Sequence, residues 1–149
     1  MNHYLLKTIE FPPIVLSQII SKLPAGQVDV RVSEDRFTLR EAVAHLADWE
    51  PIFRERIELV VKHPGSTITV YDEGQFAIDR NYAAQDVREN LKRYAQERKV
   101  TAKVIHGLSQ EDLGKRLNHP ELGDLSLDDL VNMILGHDMY HIEHAASFL

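Results

Sequence analysis

A chain of 149 residues, 44% hydrophobic and 27% charged, has the length of one domain and the composition of an ordinary globular protein, which excludes disordered and fibrous classes. Its formal charge of −6 leaves no basic surplus to neutralise phosphates, so no nucleic-acid partner is expected. Cysteine is absent, which removes disulfides, thiolate ligands and a protein-borne thiol nucleophile; a metal here must be held by nitrogen and oxygen.

The opening residues MNHYLLKTIEFPPIVL lack the basic and apolar regions of a signal peptide. No stretch approaches the ~18 apolar residues of a membrane span, so a cytoplasmic location without membrane contact is expected. No repeat or composition shift divides residues 1–149, and a single domain is expected. The first helical segment runs from about Pro12 to Leu23: Pro12 and Pro13 suit a first turn, Val15, Leu16, Ile19, Ile20 and Leu23 form a stripe, and Pro24-Ala25-Gly26 ends it. The second opens at Thr38, with Glu41 three residues on as a capping box, and carries Ala42, His45, Leu46, Trp49, Ile52, Phe53, Ile57 and Val60 to a stop at His63-Pro64-Gly65. Pro51 predicts a kink near Ala47 to Glu50.

Residues 66–85 pattern weakly, with a short alternating stretch from Thr67 to Tyr71 and then polar residues, and read as a long crossover loop with room for a helical turn. The third segment, Asp86 to His106, holds Val87, Leu91, Tyr94, Ala95, Val100, Val104 and Ile105 in approximate register, with Gly107 as C-cap. Ser109 to Leu113 suits one extra turn. The fourth begins at Ser126 with Asp128 and Asp129 in its first turn and continues to about Ser147. Four amphipathic segments without a strand set predict an all-α four-helix bundle with a long crossover between its second and third helices.

The stripe of the fourth segment is Leu127, Leu130, Val131, Ile134, His137, His141, Ala145 and Phe148, so two histidines occupy core-facing positions. Their i, i+4 spacing stacks both imidazoles on one face, about 6 Å apart at Cβ. His45 lies on the stripe of the second segment. At ~1.5 Å per residue, His45 sits roughly 10 Å from its helix start and the other two roughly 17–22 Å from theirs. Alternating connections would run these helices parallel, and a modest stagger would then bring the three rings level. Three nitrogen ligands with an open position suit a catalytic zinc, nickel, copper or iron. The alternative is a set of hydrogen-bonded core histidines, the common fate of a histidine on an apolar face.

Three further residues are candidates for a catalytic role. Asp138 could orient a ligand imidazole, although a solvated helix-face acid is the default. His144 could be a fourth ligand or a proton carrier, with a place on the rim as the default. Asp48 could join the site if Pro51 bends the helix, and is otherwise a surface acid. Trp49 and Tyr140 read as core and interface aromatics, and His3, His63, His106 and His119, at termini or in loops, receive no role.

The set His45 in AHLADWE, the segment Leu122 to Leu127, and His137-Asp138-Met139-Tyr140-His141 resembles the DinB-like superfamily of bacterial four-helix bundles, which includes the YfiT-like metal-dependent hydrolases. The resemblance covers most of the chain. It implies a bundle with a long crossover, one divalent metal, usually nickel or zinc, on His45, His137 and His141, and frequent homodimers. It also implies transfer of a low-molecular-weight thiol of the bacillithiol or mycothiol type to an electrophilic small molecule, the first-ranked function. The family often has Gln where this chain has His144. A metal-dependent hydrolase, with Asp48 or Asp138 handling protons, and a non-catalytic stress-response binding protein are the alternatives. Against hydrolysis stands the lack of a glutamate base placed like that of HExxH.

Overall fold

The computed structural model describes residues 1–149. The chain forms α1 (His3–Thr8), α2 (Pro12–Lys22), α3 (Leu39–Lys62), α4 (Glu73–Asp79), α5 (Val87–His106), α6 (Gln110–Gly114), strands β1 (Arg116–His119) and β2 (Gly123–Ser126), and α7 (Leu127–Ala146). The bundle helices α2, α3, α5 and α7 stand where the stripes and caps predict them. Thr38 and Glu41 close a reciprocal capping box on α3, and Ser126 with Asp129 does the same on α7. Each satisfies backbone donors that the first helical turn leaves unpaired. The α3 helix runs through Pro51 without interruption.

The arrangement of the four helices is less intuitive than their boundaries. Asp48 pairs with Arg93, and Arg54 with Glu97 and Thr101, so residue numbers rise together and α3 and α5 run parallel. His45 lies against His141, Phe53 against His137, and Arg36, just before α3, against Glu143, so α3 and α7 run antiparallel. The expectation of parallel helices is therefore corrected. The chain goes up, down, down, up, with α3 between α5 and α7 and diagonal to α2. Two parallel neighbours cannot be joined by a tight turn, and this is why a long crossover follows α3.

That crossover is more ordered than a loop. Asp72 caps α4, and Tyr82–Ala84 forms a 3-10 turn. The alternating stretch at Thr67 makes a single parallel bridge to Asn118. The β1–β2 hairpin pairs Arg116 with Ser126 and His119 with Gly123; Gly123 takes a φ of 80°, a conformation that costs glycine little. This small sheet and the helix α1 were not expected, and α4, at seven residues, is longer than the single helical turn expected in the crossover. Val100, placed on the third stripe, is 49% exposed.

Two apolar clusters fill the bundle. The larger joins Leu5 and Ile9 of the α1 region to Ile57, Ile105, Leu127 and Ile134; the smaller joins Leu16, Leu39, Val43, Tyr94 and Ala145. Burying each large aliphatic side chain contributes about 1.5–3 kcal/mol. Within the same bundle lie fully or nearly buried polar groups: His45, Asp48, Glu50, Arg98, Asp138, His141 and His144. Every residue from Glu41 to Glu50 on α3 is buried, so this stretch is enclosed on all sides.

Candidate metal centre

His45 on α3 and His137 and His141 on α7 meet where the antiparallel helices cross. One nitrogen from each ring lies within 4.8 Å of the others. The Nε2 atoms of His45 and His137 are 2.8 Å apart, and the ring centroids of the three are separated by 4.9–5.2 Å. The antiparallel crossing explains why no stagger is needed: counted from the end of α7, His141 and His137 lie roughly 8 and 14 Å deep, bracketing the ~10 Å depth of His45 on α3.

None of these ring nitrogens hydrogen-bonds to a backbone group or a carboxylate, and the Nδ1 atoms of all three are buried without a partner. A hydrogen-bonded core histidine would have such partners, since an unsatisfied buried polar group costs ~1–3 kcal/mol. The outward hydrogen bond that commonly fixes a ligand imidazole is also missing. Ring packing holds the orientation instead: Trp49 lies 4.3 Å and Phe37 5.2 Å from His45, Phe53 5.8 Å from His137, and Tyr140 5.1 Å from His141.

Burial pushes all three imidazoles toward the neutral form. His137 falls to about 4 and His141 to about 3, chiefly by loss of hydration. His45 is driven well below its ordinary value by the same cause and by its two neighbours. Neutral imidazole is the form that donates a lone pair to a metal. The donor set therefore fits a divalent transition ion bound through nitrogen; ~2.1 Å bonds in a tetrahedral shell put donors about 3.4 Å apart, which the 2.8 Å contact reaches by a small outward shift.

The site opens on two sides. A cavity of about 470 Å³ borders His141, lined by Arg36, Phe37, Glu73, Tyr140 and His144 among others. A smaller one of about 160 Å³ borders His137, with Trp49, Arg56, Glu73 and His119 in its wall. Arg36 stacks on Tyr140, 4.6 Å from the ring centroid, and pairs with Glu143.

The other predicted residues fall elsewhere. Asp138 is not a solvated acid but is completely buried, accepting from Tyr94 at 2.6 Å and from two nitrogens of Arg98 at 2.6 and 2.8 Å. Arg98 also binds Glu50 and the carbonyl of Ile9. Burial pushes the Glu50 carboxyl up against the pull of Arg98. Asp48 is not a surface acid either. Burial would raise its carboxyl, but hydrogen bonds from Tyr82, Arg93 and Arg80 hold it below the usual range. Neither acid hydrogen-bonds to a triad ring. His144 is buried rather than on the rim, with no partner for either ring nitrogen. His119 belongs to a strand, where its Nδ1 accepts the backbone N–H groups of Glu121 and Leu122 and closes the hairpin turn.

Sequence reasoning missed Glu73. Its Oε2 lies 3.9 Å from the Nε2 of His45, and its side chain is 51% exposed. Burial pushes its carboxyl up, offset in part by Arg56. A weakly patterned crossover gave no signal for it, because nothing in the local sequence says which acid of Asp72, Glu73 and Asp79 turns toward the bundle.

Comparison with known proteins finds bacterial relatives over nearly the whole chain. The chain is 25% identical over 142 residues to a "putative metal-dependent hydrolase" of Oceanobacillus iheyensis, covering 95% of this chain and 82% of the relative. It is 27% identical over 143 residues to a protein of the same description from Bacillus cereus, with the same coverage. The fold matches that of YfiT from Bacillus subtilis, described as a probable metal-dependent hydrolase with an unusual four-helix bundle topology, at a TM-score of 0.89 and 19% identity over 99% of this chain and 87% of that one. A DinB-like protein of B. subtilis, YjoA, matches at 0.62 and 14% identity, over 98% and 90% of the two chains. The DinB superfamily model matches residues 14–145, and with its helices, crossover and histidine cluster in place, the chain belongs to the DinB superfamily.

Proposed function

We propose that the protein is a metal-dependent hydrolase whose ion is held by His45, His137 and His141. The observation that carries this reading is the convergence of three neutral imidazoles, with no backbone or carboxylate partner, beside a cavity of about 470 Å³. Held by these three histidines, a divalent ion would lower the pKa of a water toward ~7 and polarise a carbonyl or phosphoryl oxygen. The chain itself contributes the rest. Trp49, Phe37 and Phe53 wall the rings in apolar surface, which excludes bulk water and strengthens every electrostatic contact within. The larger cavity offers Arg31, Arg36, Glu34 and Asp35 as groups to orient a polar small-molecule substrate. Relatives described as metal-dependent hydrolases support the reaction class.

Thiol transfer is the second reading: His45, His137 and His141 would hold the ion, which would lower the pKa of an external bacillithiol- or mycothiol-type thiol used against an electrophile. It is favoured by the size and mixed charge of the larger cavity, which suit a polar cofactor-sized thiol, and by a chain with no thiol of its own. Elemental analysis of protein purified without an affinity tag, nickel and zinc first, tests the shared premise. A panel of esters, amides and phosphoesters, set beside thiol-plus-electrophile assays, then separates the two. Turnover present in the metal-loaded protein and lost in His141→Ala supports hydrolysis; acceleration only with an added thiol replaces it with transfer. A tag-free protein that binds no transition metal overturns both.

A further inference from the structure

We propose that Glu73 is a fourth, detachable protein ligand of the metal centre, closing the open position until a substrate displaces it. This rests on the reading of the histidine triad as a metal site. Two donors bound to one ion at ~2.1 Å lie about 3–4 Å apart; Glu73 Oε2 stands 3.9 Å from His45 Nε2 but outside the donor set of His45, His137 and His141, so a turn of its half-exposed side chain completes the approach.

Charge gives the reason. A divalent ion on three neutral imidazoles carries two uncompensated positive charges in a buried site, which is costly unless an anion pairs with it. Most acids around the triad are committed elsewhere: Asp48 to Arg80 and Arg93, Glu50 and Asp138 to Arg98, Glu41 to Arg31, and Glu143 to Arg36; Glu34, Asp35 and Glu121 line the cavities without an ion pair. Glu73 has no hydrogen bond or ion pair other than its approach to His45 and is the one carboxylate within 4.0 Å of a triad nitrogen.

The crossover can hold this carboxylate in reach while leaving it free to move. Asp72 caps α4 at its start, and Arg80 and Tyr82 anchor its far end to Asp48. The helix is thus capped at its start and tied to the bundle at its far end, while the half-exposed side chain of Glu73 can rotate. Glu73 also belongs to the walls of both cavities, so its departure from the ion exposes the centre to each of them.

The test is cobalt(II) titration of metal-free protein against a competing chelator, reading affinity and the visible absorption band, with acetate added afterwards as an external ligand. Glu73→Gln is expected to weaken cobalt binding by at least tenfold, about the lower bound seen for loss of groups around a metal. It should also change the band and bind acetate more tightly than the wild type, because the position is then open. Glu121→Gln, which removes a charge from the same cavity wall, is expected to stay within twofold of wild type. Glu73→Gln matching the wild type in affinity and band overturns the inference and leaves the triad standing. Equal weakening by both substitutions also overturns it, in favour of a general field effect. A wild type that takes up no cobalt overturns it together with the metal-site reading.

Discussion

Replacing Arg98 with methionine tests the buried polar layer behind the histidines. Arg98 is 1% exposed and serves Glu50 and Asp138, each 0% exposed, together with the carbonyl of Ile9. Methionine keeps most of the length but removes the charge and the donors. Removing one partner of a buried ion pair costs about 3–5 kcal/mol, and the stranded Ile9 carbonyl adds about 1 kcal/mol. A total of roughly 4–6 kcal/mol is a large part of the ~5–15 kcal/mol that stabilises a typical domain. Trp49, the sole tryptophan, lies 4.3 Å from the ring of His45 and reports on this region. Urea unfolding followed by its fluorescence should show the loss at pH 7. The deficit should narrow on acidification, because the stranded acids are cheaper to bury once protonated. Adding Glu50→Gln and Asp138→Asn to Arg98→Met should restore part of the loss, since no unpaired charge is then buried. A loss below ~1 kcal/mol, or a triple variant no more stable than the single one, would refute the assignment of Arg98 as the counter-charge of this layer.

Other consequences follow from the same groups. A divalent transition ion at 1,000 times its Kd should add ~4 kcal/mol of stability, a Tm rise of roughly 8–16 °C for a chain of this size; thermal melts of wild type and His45→Ala check this, and a rise that survives the substitution would place the ion elsewhere. For the metal-free protein, His137 near 4 and His141 near 3 lie below the ~6.5 of the unfolded chain. The unfolded state therefore binds protons first, and stability should be flat above about pH 7 and fall as pH drops from ~6.5 toward ~4, with His137 alone contributing about 3 kcal/mol; urea midpoints that stay level across that window would contradict it. Asp48→Asn should cost about 1–3 kcal/mol by weakening the hold on Tyr82 and Arg80, and hydrogen exchange across residues 73–84 should quicken, whereas unchanged exchange would show that the crossover is held by other contacts.

What the sequence determined lies along single helices. A cap such as Thr38 with Glu41 or Ser126 with Asp129, followed by a 3.6-residue stripe, carries its own start, stop and buried face, because these depend on neighbours three or four residues away. For that reason the bundle helices and the stacking of His137 on His141 could be read directly, and His45 could be placed on a buried face. The tertiary structure decided what depends on partners far along the chain. The antiparallel crossing of α3 and α7 follows from the parallel pairing of α3 with α5, which no local pattern encodes. Asp48 and Asp138 look like surface acids in sequence because an acid on a helix usually is one; only the arrival of Arg93 and Arg98 from α5 makes their burial possible. Glu73 is the clearest case. Its place beside His45 depends on how a weakly patterned crossover docks on the bundle, and that docking is set by ion pairs and hydrogen bonds to Asp48 rather than by any periodicity of its own.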